Sequence, residues 1–524
     1  MVKTPEVQML SFVGILGLLF VSSLSQAQED AEGRCHGLTR ADFSRVMDAP
    51  THVTSSAYVA ATDNEAAHCR VDGYVTPNVG IQVRLPAENW NGKFVKRGCG
   101  GYCGTIHGDY CNNHVKNGYA CVVSDMGHKS TGGDAKWAYN NPYTEIDFGY
   151  RATHVSAAAG KAITEEFYGA APQRSYYMGC STGGRQGLVA AQRFPWDFDG
   201  VVAGAPVINE TGAGLQLIWT TVSNLDDNGE QILPASKIPM IHEAAVVQCD
   251  LDDGLKDGLI DDPRNCDFDP SALQCGFFDG DDCLTKEQVD VVRKIYSGPK
   301  TSGGAATYTG GALPGSELNW IGPYITEEGR PGRYYFMIGD MFRYMGFLPD
   351  PGPTWQPKDF DFDQDHKRLG MMEGIYSGSN PDLRKFRDAG GKMFVYHGWA
   401  DYSVVPLNTV DYYELVTRTM DGLEATQEFF RLFMIPGMSH CSGGDGAYAI
   451  DYFSAMERWV EEGQAPGVLI GHNTTETTDR FGTDFPIDSS IIKYSRPVYP
   501  YPSVARYRGT GSVNDAASFE KSNP

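Results

Sequence analysis

The reading of the chain turns on Ser175-Tyr176-Tyr177-Met178-Gly179-Cys180-Ser181-Thr182-Gly183-Gly184-Arg185-Gln186-Gly187. An aromatic, strand-prone run feeds a Gly-x-Ser-x-Gly turn, and a segment of helical periodicity follows, ending near Phe194. A serine on a sharp strand-to-helix turn takes strained backbone angles, which small neighbours permit. Its hydroxyl is then exposed at the carboxyl edge of a sheet. The helix that starts there aims free backbone N–H groups at the same point. Outward from this turn, residues 81–85, 94–95 and 119–123 read as strands and 152–167 as a helix. Downstream, 392–396 and 429–435 read as strands and 447–462 as a helix capped by Gly463, with Ile450, Phe453 and Val460 towards the core. Strands alternating with helices predict an α/β fold, a mostly parallel sheet with helices on both faces.

Residues 207–389 break this rhythm with many Gly, Pro and Asp and with aromatic clusters such as Arg333-Tyr334-Tyr335-Phe336 and Phe342-Arg343-Tyr344. The simplest organisation is one α/β domain in two parts, 28–206 and 390–524, interrupted by an insertion over 207–389. Internal repeats and low-complexity tracts are absent from the sequence.

With 524 residues, 41% hydrophobic and 12% aromatic, the chain has ample material for a core, which excludes disorder. A formal net charge of -23 argues against nucleic acid or an anionic membrane as partner, since both call for clustered Lys and Arg. Lys3, the apolar stretch 9–24 and the small-x-small Ser25-Gln26-Ala27 read as a secretory leader, residues 1–27, too short and too soon polar for a retained span. The expected mature protein is therefore secreted or periplasmic, free of the membrane, with no motif for an obligate protein partner. Its 12 Cys are expected in disulfides rather than zinc sites, as none forms a paired Cys-x-x-Cys arrangement.

A serine nucleophile needs a base, and the base needs an orienting acid. In α/β-hydrolases these follow the serine in the order acid, His, each on a loop after a strand. Phe394-Val395-Tyr396-His397-Gly398-Trp399-Ala400-Asp401 offers the acid, Asp401; Leu432-Phe433-Met434-Ile435-Pro436-Gly437-Met438-Ser439-His440-Cys441 offers the base, His440. Cys180 precedes Ser181 and Cys441 follows His440. A disulfide holds its Cα atoms roughly 5.5 Å apart, so a Cys180–Cys441 bond would force Ser181 and His440 together. One oxyanion donor is expected from Thr182 N–H, directly after the serine, and the other from the glycine-rich turn 97–102, where Tyr102 is a candidate wall of the acyl pocket. Within the insertion, Cys249-Asp250-Leu251-Asp252-Asp253-Gly254-Leu255-Lys256-Asp257-Gly258-Leu259-Ile260-Asp261-Asp262 concentrates hard oxygen ligands suited to Ca²⁺, and Cys249 and Cys266 flank it as a potential staple.

The Cys180-Ser181, Asp401 and His440-Cys441 pattern resembles the Cys-Ser…Asp…His-Cys signature of the tannase and feruloyl esterase family, which includes mono(2-hydroxyethyl) terephthalate hydrolases. Phe198-Asp199-Gly200-Val201-Val202-Ala203-Gly204-Ala205-Pro206 and Pro436-Gly437-Met438-Ser439-His440-Cys441-Ser442-Gly443-Gly444 extend the likeness, which runs from about Cys35 to Tyr507. The resemblance implies an α/β-hydrolase fold whose insertion is a lid, and Gly100 as the second oxyanion donor. It implies a structural Ca²⁺ on Asp250, Asp253 and Asp257 with the Leu255 and Leu259 carbonyls, and the pairs Cys35–Cys69 and Cys275–Cys283. Cys99, Cys103, Cys111 and Cys121 are left with three possible connectivities, and Tyr499 stands where some members carry a further Cys.

The expected activity is a secreted serine esterase cleaving esters of aromatic acids, feruloyl or other hydroxycinnamoyl esters first, with galloyl esters and terephthalate monoesters as alternatives. His397, which recurs in the family, and Trp399 are the expected substrate contacts, with Tyr402 also flanking the acid. Terephthalate-monoester enzymes bind the free carboxylate with a lid Arg; Arg333 and Arg343 are the nearest candidates here. A secreted calcium-dependent binding protein is the non-catalytic alternative, which leaves the ordered Ser, Asp and His unexplained.

Overall fold

The computed structural model describes residue 1, residues 30–476 and residues 487–523. The expected leader, apart from Met1, lies outside the described residues. Among the described residues no helix is long and apolar enough to cross a membrane.

A nine-stranded sheet forms the centre, built from β1 (Thr51–Val59), β2 (His68–Val75), β3 (Val79–Pro86), β4 (Lys93–Arg97), β5 (Ala120–Ser124), β6 (Arg174–Cys180), β7 (Gly200–Gly204), β8 (Lys392–Gly398) and β9 (Phe430–Ile435). Their order across the sheet is β1-β2-β3-β5-β4-β6-β7-β8-β9. From β5 to β9 every pairing is parallel, while β1, β2 and β3 form an antiparallel edge. The β1–β2 hairpin goes beyond the sequence expectation, because its residues alternate weakly and much of β1 is exposed.

The period of two along the strands sorts side chains onto two faces. Tyr177, Val201, Met393 and Val395 join one apolar cluster, whereas Tyr176, Met178, Val202, Phe394 and Tyr396 join another. The helices that matter for the site are α1 (Ala152–Tyr168), α2 (Thr182–Arg193), α3 (Glu210–Ser223), α4 (Arg333–Tyr344), α5 (Pro406–Thr419) and α6 (Tyr452–Glu462). Val155 and Phe167 of α1, Leu188 of α2 and Val416 of α5 cover the first face; Phe453, Met456 and Trp459 of α6 cover the second. The sheet is thus buried on both faces, as parallel sheets are.

Helix α6 begins five residues later than its periodicity predicts. Asp451 caps it by accepting from Ser454 N–H, and Ala449 and Ile450 pair instead with His472 and Gly471 of a neighbouring strand. Ile450 is buried as expected, but in extended conformation. Between β7 and β8 the chain adds no strand to the sheet among the described residues; it forms helices, including α3 and α4, and short 3-10 turns.

All twelve cysteines are paired: Cys35–Cys69, Cys99–Cys103, Cys111–Cys121, Cys180–Cys441, Cys249–Cys266 and Cys275–Cys283. Of the three connectivities open to Cys99, Cys103, Cys111 and Cys121, the structure adopts the one in which the two loops do not overlap, with sequence separations of 4 and 10.

Candidate active site

Three strands of the parallel sheet, β6, β8 and β9, end at the same edge, where ligands of open α/β sheets bind. The chain leaves them towards Ser181, Asp401 and His440 respectively. Ser181 sits between β6 and α2 with φ 64° and ψ −124°, a region that costs a non-glycine residue about 1–3 kcal/mol. Hydrogen bonds hold it there: Ser181 N–H donates to Gly204 O at 2.9 Å, and Arg185 N–H donates to Ser181 O at 3.0 Å. The flanking glycines are required by close approach. A Cβ on Gly179 would stand 2.7 Å from Gly183 O, and one on Gly183 would stand 2.9 Å from Cys99 O. Thr182 is the first residue of α2, so its N–H has no partner within the helix. Its hydroxyl donates to Gly101 O at 2.7 Å, which ties the glycine-rich turn to the serine turn.

His440 Nδ1 lies 2.7 Å from Asp401 Oδ2. Asp401 is 1% exposed, and burial pushes its pKa up. The imidazoles of His440 and His397 outweigh that and hold the carboxyl well below its usual range. Ser403 N–H and Val404 N–H donate to the other oxygen at 2.7 and 3.0 Å. The Cys180–Cys441 disulfide, with Cα atoms 5.9 Å apart, locks the serine and histidine loops together.

Ser181 and His440 line one cleft of about 870 Å³ with Gly100, Asp134, Arg333, Tyr334, Phe336 and Tyr402 among its walls. His440 also borders a second cavity, about 540 Å³, walled by Ser442, Gly443, Gly444, Asp445, Tyr448, Asn473 and Lys493. Of the two arginines flagged by the sequence, Arg333 faces the cleft, its guanidinium donating to Tyr402 Oη at 3.1 Å. Arg343 is spent on Asp340, Trp355 O and Gln356.

Three expected substrate contacts are placed elsewhere. His397 is fully buried and bonded to Asp401, because the turn after β8 folds the acid back over the strand end. Trp399 is 5% exposed and packs beneath the Arg264 guanidinium, 5.0 Å away, on the side facing the segment after the acidic loop. Tyr102 is 3% exposed and donates to Met337 O at 3.1 Å, fastening the glycine-rich turn to α4. Asn473, which opens the Asn473-Thr474-Thr475 glycosylation motif, is 4% exposed. Its amide donates to Asp445 O and Gly446 O at 3.1 and 2.8 Å and so anchors the loop after His440. No local signal in the sequence marks that role.

In the acidic loop, Asp250 Oδ1 accepts from Asp257 N–H and Gly258 N–H at 3.1 and 3.0 Å, and Asp253 Oδ1 accepts from Leu255 N–H at 2.8 Å. Asp257 meets Arg496 at 2.7 Å. Burial, then Asp253 and Asp257, push the Asp261 carboxyl up to about 7, and burial also raises Asp253. The loop therefore gathers more negative charge than its arginines balance. Among the described residues no three His, Cys, Asp or Glu side chains converge in ligand geometry; the expected site would add main-chain carbonyls to its carboxylates.

Residues 64–522 match the model of the family described as tannase and feruloyl esterase. The chain is 33% identical to mono(2-hydroxyethyl) terephthalate hydrolase of Piscinibacter sakaiensis, over 88% of this chain and 86% of that protein. It is 34% identical to a probable feruloyl esterase B-2 of Aspergillus flavus, over 79% of this chain and 81% of that one. The crystal structure of feruloyl esterase B from Aspergillus oryzae superposes with a TM-score of 0.83 at 30% identity, covering 94% of this chain and 100% of that one. These relatives are ester hydrolases, which sets aside a non-catalytic binding protein. An α/β-hydrolase fold, a strained serine turn facing a hydrogen-bonded Asp–His pair and this kinship agree: the chain belongs to the tannase and feruloyl esterase family and is a carboxylic ester hydrolase.

Proposed function

We propose that Ser181, His440 and Asp401 act as a catalytic triad on esters of aromatic acids, hydroxycinnamoyl esters foremost. The observation that carries the reading is the 2.7 Å contact of Asp401 with His440 Nδ1, in a cleft shared by His440 and the strained Ser181. With Nδ1–H given to Asp401, the opposite ring nitrogen is the base. Ser181 Oγ attacks the ester carbonyl, its proton passes to His440 Nε2, and the tetrahedral oxyanion is met by Thr182 and Gly100 N–H. His440 then protonates the departing alcohol, towards which the second cavity offers room, and water releases the acid from the acyl-enzyme. Tyr334, Phe336 and Tyr402 supply flat walls for an aromatic acyl group, with α4 as part of a lid.

Arg333 in the same cleft favours a second reading, a terephthalate monoester whose free carboxylate pairs with the guanidinium. Galloyl esters complete the series. Six disulfides accord with an oxidising, extracytoplasmic compartment. A structural Ca²⁺ belongs to the proposal: Asp250, Asp253 and Asp257 with the Leu255 and Leu259 carbonyls would hold it. The surplus of negative charge around Asp253 and Asp261 supports this. When bound, the ion supplies positive charge that steadies the loop.

The test is kcat/KM on methyl ferulate, methyl gallate and mono(2-hydroxyethyl) terephthalate, with Ser181→Ala beside wild type. Methyl ferulate is expected to lead, and Ser181→Ala to be silent on all three. A leading terephthalate ester that loses its lead in Arg333→Ala establishes the second reading instead.

A further inference from the structure

His397 occupies the place where a substrate contact was expected, yet no part of it reaches the cleft. Its ring is 0% exposed. Nε2 lies 3.0 Å from Asp401 Oδ2 and 3.1 Å from Val404 O, and Nδ1 lies 2.8 Å from Thr409 Oγ1 on α5. A carboxylate oxygen and a carbonyl oxygen are both acceptors, so Nε2 carries a hydrogen. Nδ1 is then left to accept from the Thr409 hydroxyl. The Asp401 carboxylate thus receives four donors: His440 Nδ1–H and His397 Nε2–H on Oδ2, Ser403 and Val404 N–H on Oδ1. These match the four or so lone-pair sites of a carboxylate.

We propose that His397, fixed in one tautomer by the acceptors Asp401 Oδ2 and Val404 O and steadied at Nδ1 by the Thr409 hydroxyl, is a positioning residue that aims Asp401 Oδ2 at His440 and shares its negative charge. The proposal rests on the triad reading above. His397 touches no reacting atom; it acts through Asp401. Two donors on one oxygen divide its charge, so the basicity that His440 feels is set partly by His397. The other ionisable groups around Asp401 are Tyr324, Tyr334 and Tyr402, whose hydroxyls burial pushes up and keeps protonated, and Arg333, which bonds Tyr402. None of these changes charge near neutral pH. His440 also shares the cleft with His107 and Asp134 and the second cavity with Asp445 and Lys493, which stay the same in every variant, so a limb that moves between wild type and the His397 variants reports on the two histidines and Asp401.

The experiment compares the pH dependence of kcat and KM for wild type, His397→Gln, His397→Leu, Thr409→Val and Ser181→Ala on the ester that wild type turns over best. His397→Leu fills the space without a donor. It is expected to lower kcat about 30-fold with KM within about threefold, as losses of orienting partners do. The acid limb of kcat/KM is expected to move up by about half a pH unit, since Oδ2 then gives its full charge to His440. His397→Gln, which restores an N–H, recovers most of kcat and of the limb. A purely packing role would instead leave Leu and Gln alike with the limb unmoved, and that result overturns the proposal. If His397→Leu does not fold, Thr409→Val decides: a several-fold lower kcat with a shifted limb supports the assignment, and wild-type values overturn it. Should Ser181→Ala retain activity, the triad reading itself falls; should it be silent while the His397 variants match wild type, only the positioning role falls.

Discussion

Asp401 and Asp261 are both carboxyls drawn out of water, and their acidities move in opposite directions. Asp401 is the more deeply buried, yet it is held below the ordinary range, whereas Asp261, only partly covered, is pushed up to about 7. Burial raises both. What separates them is the company: two imidazoles and two main-chain N–H groups around one, and Asp253, Asp257 and Asp262 around the other, against a single nearby Arg506. Glu145 falls on the same side as Asp261. Burial lifts it to about 8, and the Tyr376 hydroxyl, 2.8 Å from Oε1, pulls only weakly the other way. Asp401 is thus a carboxylate already satisfied by its neighbours, where the proposed triad would use its charge, and the acidic loop holds under-satisfied ones, which the proposed cation would complete.

The contrast breaks most sharply at Asp401. Asp401→Asn keeps the shape but replaces an acceptor by a donor, so His440 is turned to the wrong tautomer. kcat is expected to fall about 10³–10⁴-fold, with a lower melting temperature as well, because the new N–H₂ faces N–H donors in a buried place; steady-state kinetics and thermal unfolding of the same sample read both.

At the acidic loop the effect is on stability. Stripping the protein with a chelator is expected to lower Tm by about 5–10 °C, restored by Ca²⁺. Asp253→Asn should start from the lower Tm and ignore the chelator. A wild-type Tm indifferent to both would remove the metal from the reading and leave the loop an ordinary acidic surface.

The smallest effect belongs to Glu145. Its folded pKa of about 8 lies above the usual 4.5, so the folded state holds a proton that the unfolded chain gives up. That stability is fully present below about pH 4.5 and is lost as pH rises through 8. Glu145→Gln carries the neutral form at every pH. Its Tm should decline less than that of wild type between pH 5 and 8, by about 3 °C.

Much of this was legible in the sequence, for definable reasons. Ser181 announces itself because a strand, a tight turn and a helix meet within a dozen residues. Asp401 and His440 follow strands whose apolar runs are hard to mistake. The partners of His397 were not legible, because they depend on how residues 398–404 curl back, and nothing local encodes that curl. Trp399 and Tyr102 were misdirected for a related reason: large aromatics beside a site are read as its walls, while packing turned these two to Arg264 and Met337. The late start of α6 shows a capping Asp451 outranking an apolar period that extends through Ile450.

The bond between Cys180 and Cys441 spans 261 residues and closes the whole β7–β8 excursion into a covalent ring. The other five disulfides lie wholly before or wholly within that excursion. A protease that nicks the ring once therefore cannot separate the pieces, and the clipped enzyme migrates as one species until a reductant is added. Exchange of the excursion between relatives, by recombination or by design, is likewise insulated. Whatever sequence fills the ring, its two ends remain stitched together beside the serine and the histidine.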